Sequence, residues 1–183
     1  MAREHRYAAH LVWTGAARGP TKDYASYSRE YVVRIEGKPD LIGSSDPLFR
    51  GDPKLHNPED WLLAALSACH MLTYFAICAR KGIQVVAYED GASGTMALEG
   101  GGGHFTEVVL RPKVTLAAGS DSRAAEALHE EAHKNCFIAA SVNFPVRHEA
   151  ETRVSSSPGT GPLRNGIPRP SRAASRPPQG EES

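Results

Sequence analysis

The stretch Asn57-Pro58-Glu59-Asp60-Trp61-Leu62-Leu63-Ala64-Ala65-Leu66-Ser67-Ala68-Cys69-His70-Met71-Leu72 constrains the fold more than any other part of the chain. Asn57 can cap a helix, its side-chain oxygen accepting a free backbone N–H of the first turn. Pro58 suits the first helical position, where its missing N–H costs nothing and its φ is already right. Glu59 and Asp60 put negative charge at the positive end of the helix dipole. The pattern predicts a helix running to about Arg80-Lys81, with Gly82 as its left-handed cap. Between those ends it is apolar on nearly every side, so it is expected to be buried all round. Cys69 sits in its middle.

Such a helix has two plainer explanations. Its apolar run, Trp61 to Ala79, is close to the roughly twenty residues that span a bilayer. Ser67, His70 and Thr73 within it, its acidic start and the amphipathic strands on either side argue against a membrane. Most buried cysteines are merely small hydrophobes in a core. Cys69 therefore has to be weighed against the rest of the chain.

The 183 residues, 40% of them hydrophobic, suffice for one domain with a substantial core. The formal net charge is zero, so no electrostatic argument favours nucleic acid or a membrane surface. The N-terminus, Met1-Ala2-Arg3-Glu4-His5-Arg6, has no apolar signal-peptide core behind it, which predicts a cytoplasmic protein. Three cysteines are too few for a disulfide scaffold in a domain of this size. In a reducing compartment they are free thiols or a catalytic redox pair. From Ser155 to Ser183 the chain turns rich in Ser, Pro, Gly and Arg, which predicts a disordered tail. The folded domain is thus 1–154 and the tail 155–183.

Within the domain, Tyr7 to Trp13 and Tyr31 to Ile35 read as strands, with a polar connection from Ser44 to His56 before the helix. Ile83 to Tyr88 and Ser93 to Leu98 read as strand, or as one long strand bent near Gly91. Phe105 to Leu116 and Val142 to Ala150 supply further strand. A second helix, Asp121 to Lys134, has Ala124, Ala125, Leu128 and Ala132 on its apolar face. Strands come in runs rather than alternating with helices, which predicts an α+β fold with largely antiparallel sheet. One curved sheet cannot easily cover a wholly apolar helix in so small a domain. A partner subunit is therefore expected to supply the rest of the cover, as a homodimer.

Cys69 lies mid-helix and Cys136 directly after the second helix. Two helices on one sheet can bring such sites within the roughly 7 Å Cα separation of a disulfide. Two thiols that meet in a reducing compartment make a redox pair. Reaction needs a thiolate, and apolar surroundings disfavour one, so a cation must reach Cys69. Arg50, in the loop before the helix, is best placed to fold back, and Glu59 could grip its guanidinium bidentately. The plainer alternatives are an exposed loop cation and a helix-start charge. A rival arrangement is metal binding: His129, His133 and Cys136 are spaced i, i+4, i+7, with His70 beside Cys69, and His and Cys hold zinc. A fourth ligand is not evident, and a His pair on a charged helix is usually solvated. Cys78 reads as a packing thiol.

At this point the chain resembles the OsmC/Ohr family of organic hydroperoxide reductases. The resemblance rests on Asn57-Pro58-Glu59, on Cys69 ten positions after the Glu within Leu63-Ala64-Ala65-Leu66-Ser67-Ala68-Cys69-His70, and on Cys136. It covers about Tyr7 to Ala150. It implies an OsmC-like α+β fold, with antiparallel sheet packed on a buried central helix in an intertwined homodimer. It also implies a thiol-dependent peroxidase without cofactor or metal. In it Cys69 is the peroxidatic thiol, Cys136 the resolving thiol, and Glu59 the orienting carboxylate for an active-site arginine. Arg50 matches that arginine as in the OsmC branch; Arg18 or Arg29 would match it as in the Ohr branch. One departure is Phe137, where many members have proline after the second cysteine. The implied partners are an organic hydroperoxide and an external dithiol of lipoyl type, with neither nucleic acid nor membrane. Apolar neighbours such as Trp61, Leu62, Met71 and Phe137 would favour an alkyl or lipid hydroperoxide. The alternative is a non-enzymatic stress-related, metal- or ligand-binding domain on the same fold.

Overall fold

The structure, a computed structural model, describes residues 4–156. The expectation of a disordered tail falls almost wholly on residues 157–183, outside the described part.

The central helix, α1, spans Pro58–Arg80. Asn57 caps it in a reciprocal box: its side chain accepts the Asp60 N–H at 2.8 Å, and the Asp60 carboxylate accepts the Asn57 N–H at 3.2 Å. Asp60 rather than Glu59 closes the box, which leaves the Glu59 carboxylate free for another partner. Gly82, at φ +72°, ends the helix in the left-handed region that favours glycine.

Ahead of α1 lies an antiparallel meander of β1 (His10–Trp13), β2 (Tyr31–Arg34) and β3 (Leu41–Gly43). After α1 come three segments that each run through two sheets. They are β4 (Val85–Asp90) with β5 (Ser93–Glu99), β6 (Gly102–Leu110) with β7 (Pro112–Leu116), and β8 (Val146–His148) with β9 (Glu151–Val154). The two sheets have the orders β4-β7-β9 and β5-β6-β8. The chain thus bends between sheets near Gly91, Arg111 and Glu149. Side chains tie the three bends together. The Asp90 carboxylate accepts the Arg111 backbone N–H at 2.6 Å, and the Arg111 guanidinium pairs with Glu149 at 2.9 Å. Ser67 of α1 donates to the same Asp90 carboxylate at 2.5 Å, fastening the corner to the helix.

α1 lies across both sheets. Its first half buries Leu66 against Val108, Leu110 and Val146. Its second half buries Tyr74, Ile77 and Cys78 against Val114 and Leu116 of β7 and against Ala125, Leu128 and Ala132 of α2 (Ser122–Lys134). Leu66, with no exposed surface, gains about 2 kcal/mol from transfer out of water alone.

Within one chain the cover on α1 is incomplete: Leu72 is 62% exposed, because the sheets and α2 occupy only part of its circumference. The sheets are largely antiparallel, with β6–β8 and β7–β9 pairing in parallel. Two expectations are corrected. Strand β3 falls just before the Ser44–His56 connection, where the sequence predicts none, and on α2 the buried side chains are Ala125, Leu128, His129 and Ala132, with Ala124 exposed.

Candidate active site

Cys69 and Cys136 come together. α2 packs on the second half of α1 and delivers the turn after Lys134 to the middle of α1, where Cys136 comes close enough to Cys69 for the two thiols to act on one another. Both are free cysteines, and they differ in access: Cys69 is half-buried and Cys136 is buried. Burial pushes the Cys136 thiol up to about 11. The contact with Cys69 adds to that rise, and hydrogen bonds from the backbone of Ala139 and Ile138 oppose it. Cys136 therefore stays protonated at neutral pH, shielded from solvent behind Cys69. A reagent arriving from outside meets Cys69 first. Cys78 is buried against Tyr74 with its thiol also pushed up by burial, a packing cysteine as its position on the helix predicts.

Cys69 opens into a groove of about 740 Å³ between α1 and the end of α2. Its walls are mostly small and aliphatic, with Ala65, Ala68, Leu72, Ala76 and Ile77 along α1. Phe137, 80% exposed, forms the rim, so the residue that directly follows Cys136 shapes the entrance. Of the four apolar neighbours expected around Cys69, only Phe137 lines this groove. Trp61 instead lies beside the His56 ring at 4.8 Å, Leu62 packs on the Leu66 core, and Met71 faces a different surface depression near Asp90. A helix turns 100° per residue, so neighbours in sequence are not neighbours on a face.

Arg50 and Glu59 are not at Cys69 within one chain. Ten residues of helix separate Glu59 from Cys69 by about 15 Å along the axis and roughly a quarter turn around it. Glu59 lines a second groove, of about 350 Å³, with Asp46, Phe49, Leu63 and Phe105. There its Oε2 is buried with no hydrogen-bond partner among the described residues. A buried carboxylate oxygen without a partner is costly, by about 1–3 kcal/mol or more. Arg50, exposed and at φ +67°, ends the 3-10 turn Pro47–Phe49 one residue beyond the Phe49 wall of that groove. Gly51 lets the loop close behind it, since a Cβ there would stand 1.5 Å from the Ser45 carbonyl oxygen. The other two arginines are engaged elsewhere. Arg18 pairs with Glu30 at 2.7 Å, and Arg29 lies over the Tyr27 ring at 3.8 Å while donating to the Tyr24 and Tyr27 carbonyls.

About 100° round α1 from Cys69 lies a buried cluster that sequence reasoning missed, joining three histidines it weighed as metal ligands to His148 and Tyr74. His70 and His129, both buried, are hydrogen-bonded Nε2 to Nδ1 at 3.0 Å. His129 stacks on Tyr74 with ring centres 4.0 Å apart, and His148 and His133 close the group on the solvent side. Burial holds His70 down to about 4 and His129 to about 3, so both rings are neutral. His129 is thus a core residue and not one of a solvated pair. Its place at i+4 from Ala125, on the Ala125–Leu128–Ala132 face, is the signal that could have revealed it. His129, His133 and Cys136 do not converge as metal ligands, and among the described residues no group of three His, Cys, Asp or Glu is arranged to hold one.

The chain carries a match to the OsmC-like protein family over residues 51–151, more than half its length. That span includes Glu59, Cys69 and Cys136 and leaves Arg18, Arg29 and Arg50 outside. Among solved structures it is similar to an OsmC-like protein of unknown function from Vibrio cholerae O1, with 31% identity and a TM-score of 0.71. That alignment covers 81% of this chain and all of the other. An organic hydroperoxide resistance protein from Elizabethkingia anophelis shares the fold at 19% identity and a TM-score of 0.59, over 86% of this chain and all of that one. The uncharacterized protein YmaD of Bacillus subtilis is 26% identical over 101 residues, 54% of this chain and 67% of YmaD. The paired cysteines, the capped helix and the bent sheets, together with these matches, place the chain in the OsmC-like family.

Proposed function

We propose that this protein is a thiol-dependent peroxidase that reduces organic hydroperoxides to alcohols. One observation carries the reading: an accessible thiol, Cys69, lies in an apolar groove and neighbours a second, buried thiol, Cys136. The Cys69 thiolate attacks the distal peroxide oxygen, the O–O bond breaks, and the alkoxide leaves as alcohol after taking a proton. Cys69 is left as a sulfenic acid. The Cys136 sulfur then displaces hydroxide from it, a water molecule is released, and a Cys69–Cys136 disulfide forms. An external dithiol of lipoyl type returns both thiols, supplying two electrons and two protons. Shielding of Cys136 fits this division, because the second thiol has to meet Cys69 and never the peroxide.

The cation that the thiolate needs is assigned to Arg50, held by the buried oxygen of Glu59. Since that pair sits about 15 Å along α1 from the Cys69 of its own chain, we assign it to the Cys69 of a second protomer in a homodimer. The exposed Leu72 side of α1 is the face such a protomer would cover.

The test is consumption of cumene hydroperoxide, tert-butyl hydroperoxide and hydrogen peroxide with dihydrolipoamide as reductant, followed by peptide mapping. The organic peroxides should be reduced faster than hydrogen peroxide, and the oxidised protein should carry a Cys69–Cys136 link with Cys78 free. No peroxide consumption, or a link through Cys78, overturns the reading.

A further inference from the structure

Cys69 and Cys136 belong to different helices, so whatever fastens α2 to α1 decides whether the thiols stay together. His70 follows Cys69 on α1, and His129 stands about two turns before Cys136 on α2. Their rings, both buried, are bonded Nε2 to Nδ1 at 3.0 Å. A single proton fits between two ring nitrogens, so this bond forms only while both rings are neutral or one of them is. The remaining ring nitrogens, His70 Nδ1 and His129 Nε2, are buried without a hydrogen-bond partner among the described residues. The rest of the helix contact is Ala125, Leu128 and Ala132, the Tyr74 hydroxyl on the Ala125 carbonyl at 3.3 Å, and the exposed Lys81–Glu131 pair. A proton added to the histidine pair has no carboxylate to meet it. Asp90 of β4 already accepts from Ser67 and from the Arg111 backbone N–H. Glu130 of α2 turns outward to His148 and Lys134. The other groups facing the pair are His148 of β8 and His133 of α2, themselves bases, and Tyr74 and Tyr88, which burial keeps protonated. An added charge is therefore met only by water, which requires the rings to part.

We propose that the His70–His129 bond is an acid-sensitive latch: it positions Cys136 beside Cys69, and protonation of the pair releases the end of α2 that carries Cys136. The role given to Cys136 rests on the peroxidase reading above, to which the latch adds a positioning pair and a means of regulation. His70 and His129 touch no peroxide and act only through the placing of the second thiol. Parted from the core, each ring titrates near 6.5, so opening takes up protons below that pH and becomes easier as the pH falls. Two-thiol chemistry then belongs to neutral pH. In acid, a Cys69 sulfenic acid that loses its partner meets a second hydroperoxide instead. That step leaves sulfinic acid on Cys69 and releases a second alcohol, the hydroperoxide being the oxidant.

The test follows Cys136 itself and needs no peroxide. The full chain carrying Cys69→Ser keeps two thiols, Cys136 and Cys78, both buried. It is labelled with dithiodipyridine at pH 7 and pH 5, each rate is divided by that of glutathione with the same reagent, and the labelled thiol is found by peptide mapping. Opening that frees two histidines should speed Cys136 labelling about 500-fold between those pH values. With one histidine left the gain should fall to about 25-fold. Two further variants in the Cys69→Ser chain supply that case: His129→Phe, which keeps a ring against Tyr74, and His70→Gln, whose amide reaches the place of Nε2. Cys78 should lag well behind Cys136 at pH 5, because α2 parts while α1 stays on the sheets. A rate that does not rise in acid, a rise undiminished in both variants, or Cys78 labelled in step with Cys136 overturns the latch. The first or third of these, beside hydroperoxide reduction by wild type, leaves the peroxidase reading standing. The expected labelling from a protein whose wild type reduces no hydroperoxide keeps the latch and removes that reading.

Discussion

Burial divides the labour between Cys69 and Cys136. A thiol that is pushed up to about 11 cannot be the first nucleophile at neutral pH, and Cys136 is also screened from the groove. In the proposed scheme, once Cys69 has become a sulfenic acid, proximity replaces ionisation as the requirement, and Cys136 already neighbours Cys69. Cys136→Ser should therefore leave the first oxidation of Cys69 intact and stop turnover after one equivalent of peroxide. A variant that still turns over with dihydrolipoamide contradicts the two-thiol scheme. Arg50 is the other residue on which the proposal turns. Removing one charge-assisted contact to a developing oxyanion in a dry site slows a reaction by about a hundredfold or more. Arg50→Ala should show that loss in the second-order rate of Cys69 oxidation, and Arg50→Lys nearly the same, since lysine lacks the fork that Glu59 would grip. Glu59→Gln should slow the reaction less and add little in the double variant, because both changes release one guanidinium. If Arg50→Ala reacts at the wild-type rate while Arg18→Ala is slow, the cation comes from the N-terminal turn and Glu30 is the residue that holds it.

At the scale of elements, the histidine cluster between α1, α2 and β8 sets how the fold responds to acid. His70 and His129 are neutral in the core, with His148, His133 and Asp90 the nearest groups that act on them. Unfolded, each ring would titrate near 6.5. Between that value and about 4 the unfolded chain binds more protons than the folded one, so stability is full above pH 6.5 and falls as the pH drops. For His70 alone the slope is about 1.4 kcal/mol per pH unit, or about 2 kcal/mol between pH 6.5 and 5. Denaturant midpoints at those two pH values check it, and His129→Phe, which keeps a ring against Tyr74, should flatten the slope. An unchanged midpoint between them would contradict the buried neutral pair. The same elements mark where sequence information ends. α1 was legible because its signals are local: Asn57 and Pro58 at one end, Gly82 at the other, an apolar run between. The pairing of β8 with β6 and of β9 with β7 was not, because parallel partners lie tens of residues apart and neither strand alternates over more than four residues. β3 was missed for a related reason, as Leu41 and Ile42 are consecutive apolar residues that both stay exposed. Cys69 and Cys136 were legible as types of residue, whereas the distance between Glu59 and Cys69 had to be read along a folded helix.

The whole molecule poses the remaining question, because a single chain holds the residues of the proposed site without assembling them. Two thiols neighbour one another at the middle of α1, a carboxylate lies about 15 Å away along the helix, and α1 leaves Leu72 open just beyond Cys69. Assembly of two copies can meet both needs at once, covering Leu72 and bringing Arg50 and Glu59 of each copy to the opposite Cys69. Sedimentation should accordingly show a homodimer at micromolar concentration, both for the full chain and for a chain ending near Val154. The sharper test is complementation. Arg50→Ala and Cys69→Ser are each expected to be inactive as homodimers, the first for lack of the cation and the second for lack of the nucleophile. Coexpressed with different affinity tags, they should yield a heterodimer in which one protomer brings Cys69 and its partner brings Arg50. If the arginine acts across the interface, that heterodimer regains about half the activity of wild type, from the one site that has both residues. If it acts within its own chain, neither site is whole and the heterodimer stays as slow as its parents. Recovery of activity requires exchange of function between copies, so a monomer that is fully active at nanomolar concentration would overturn the shared site as surely as a silent heterodimer.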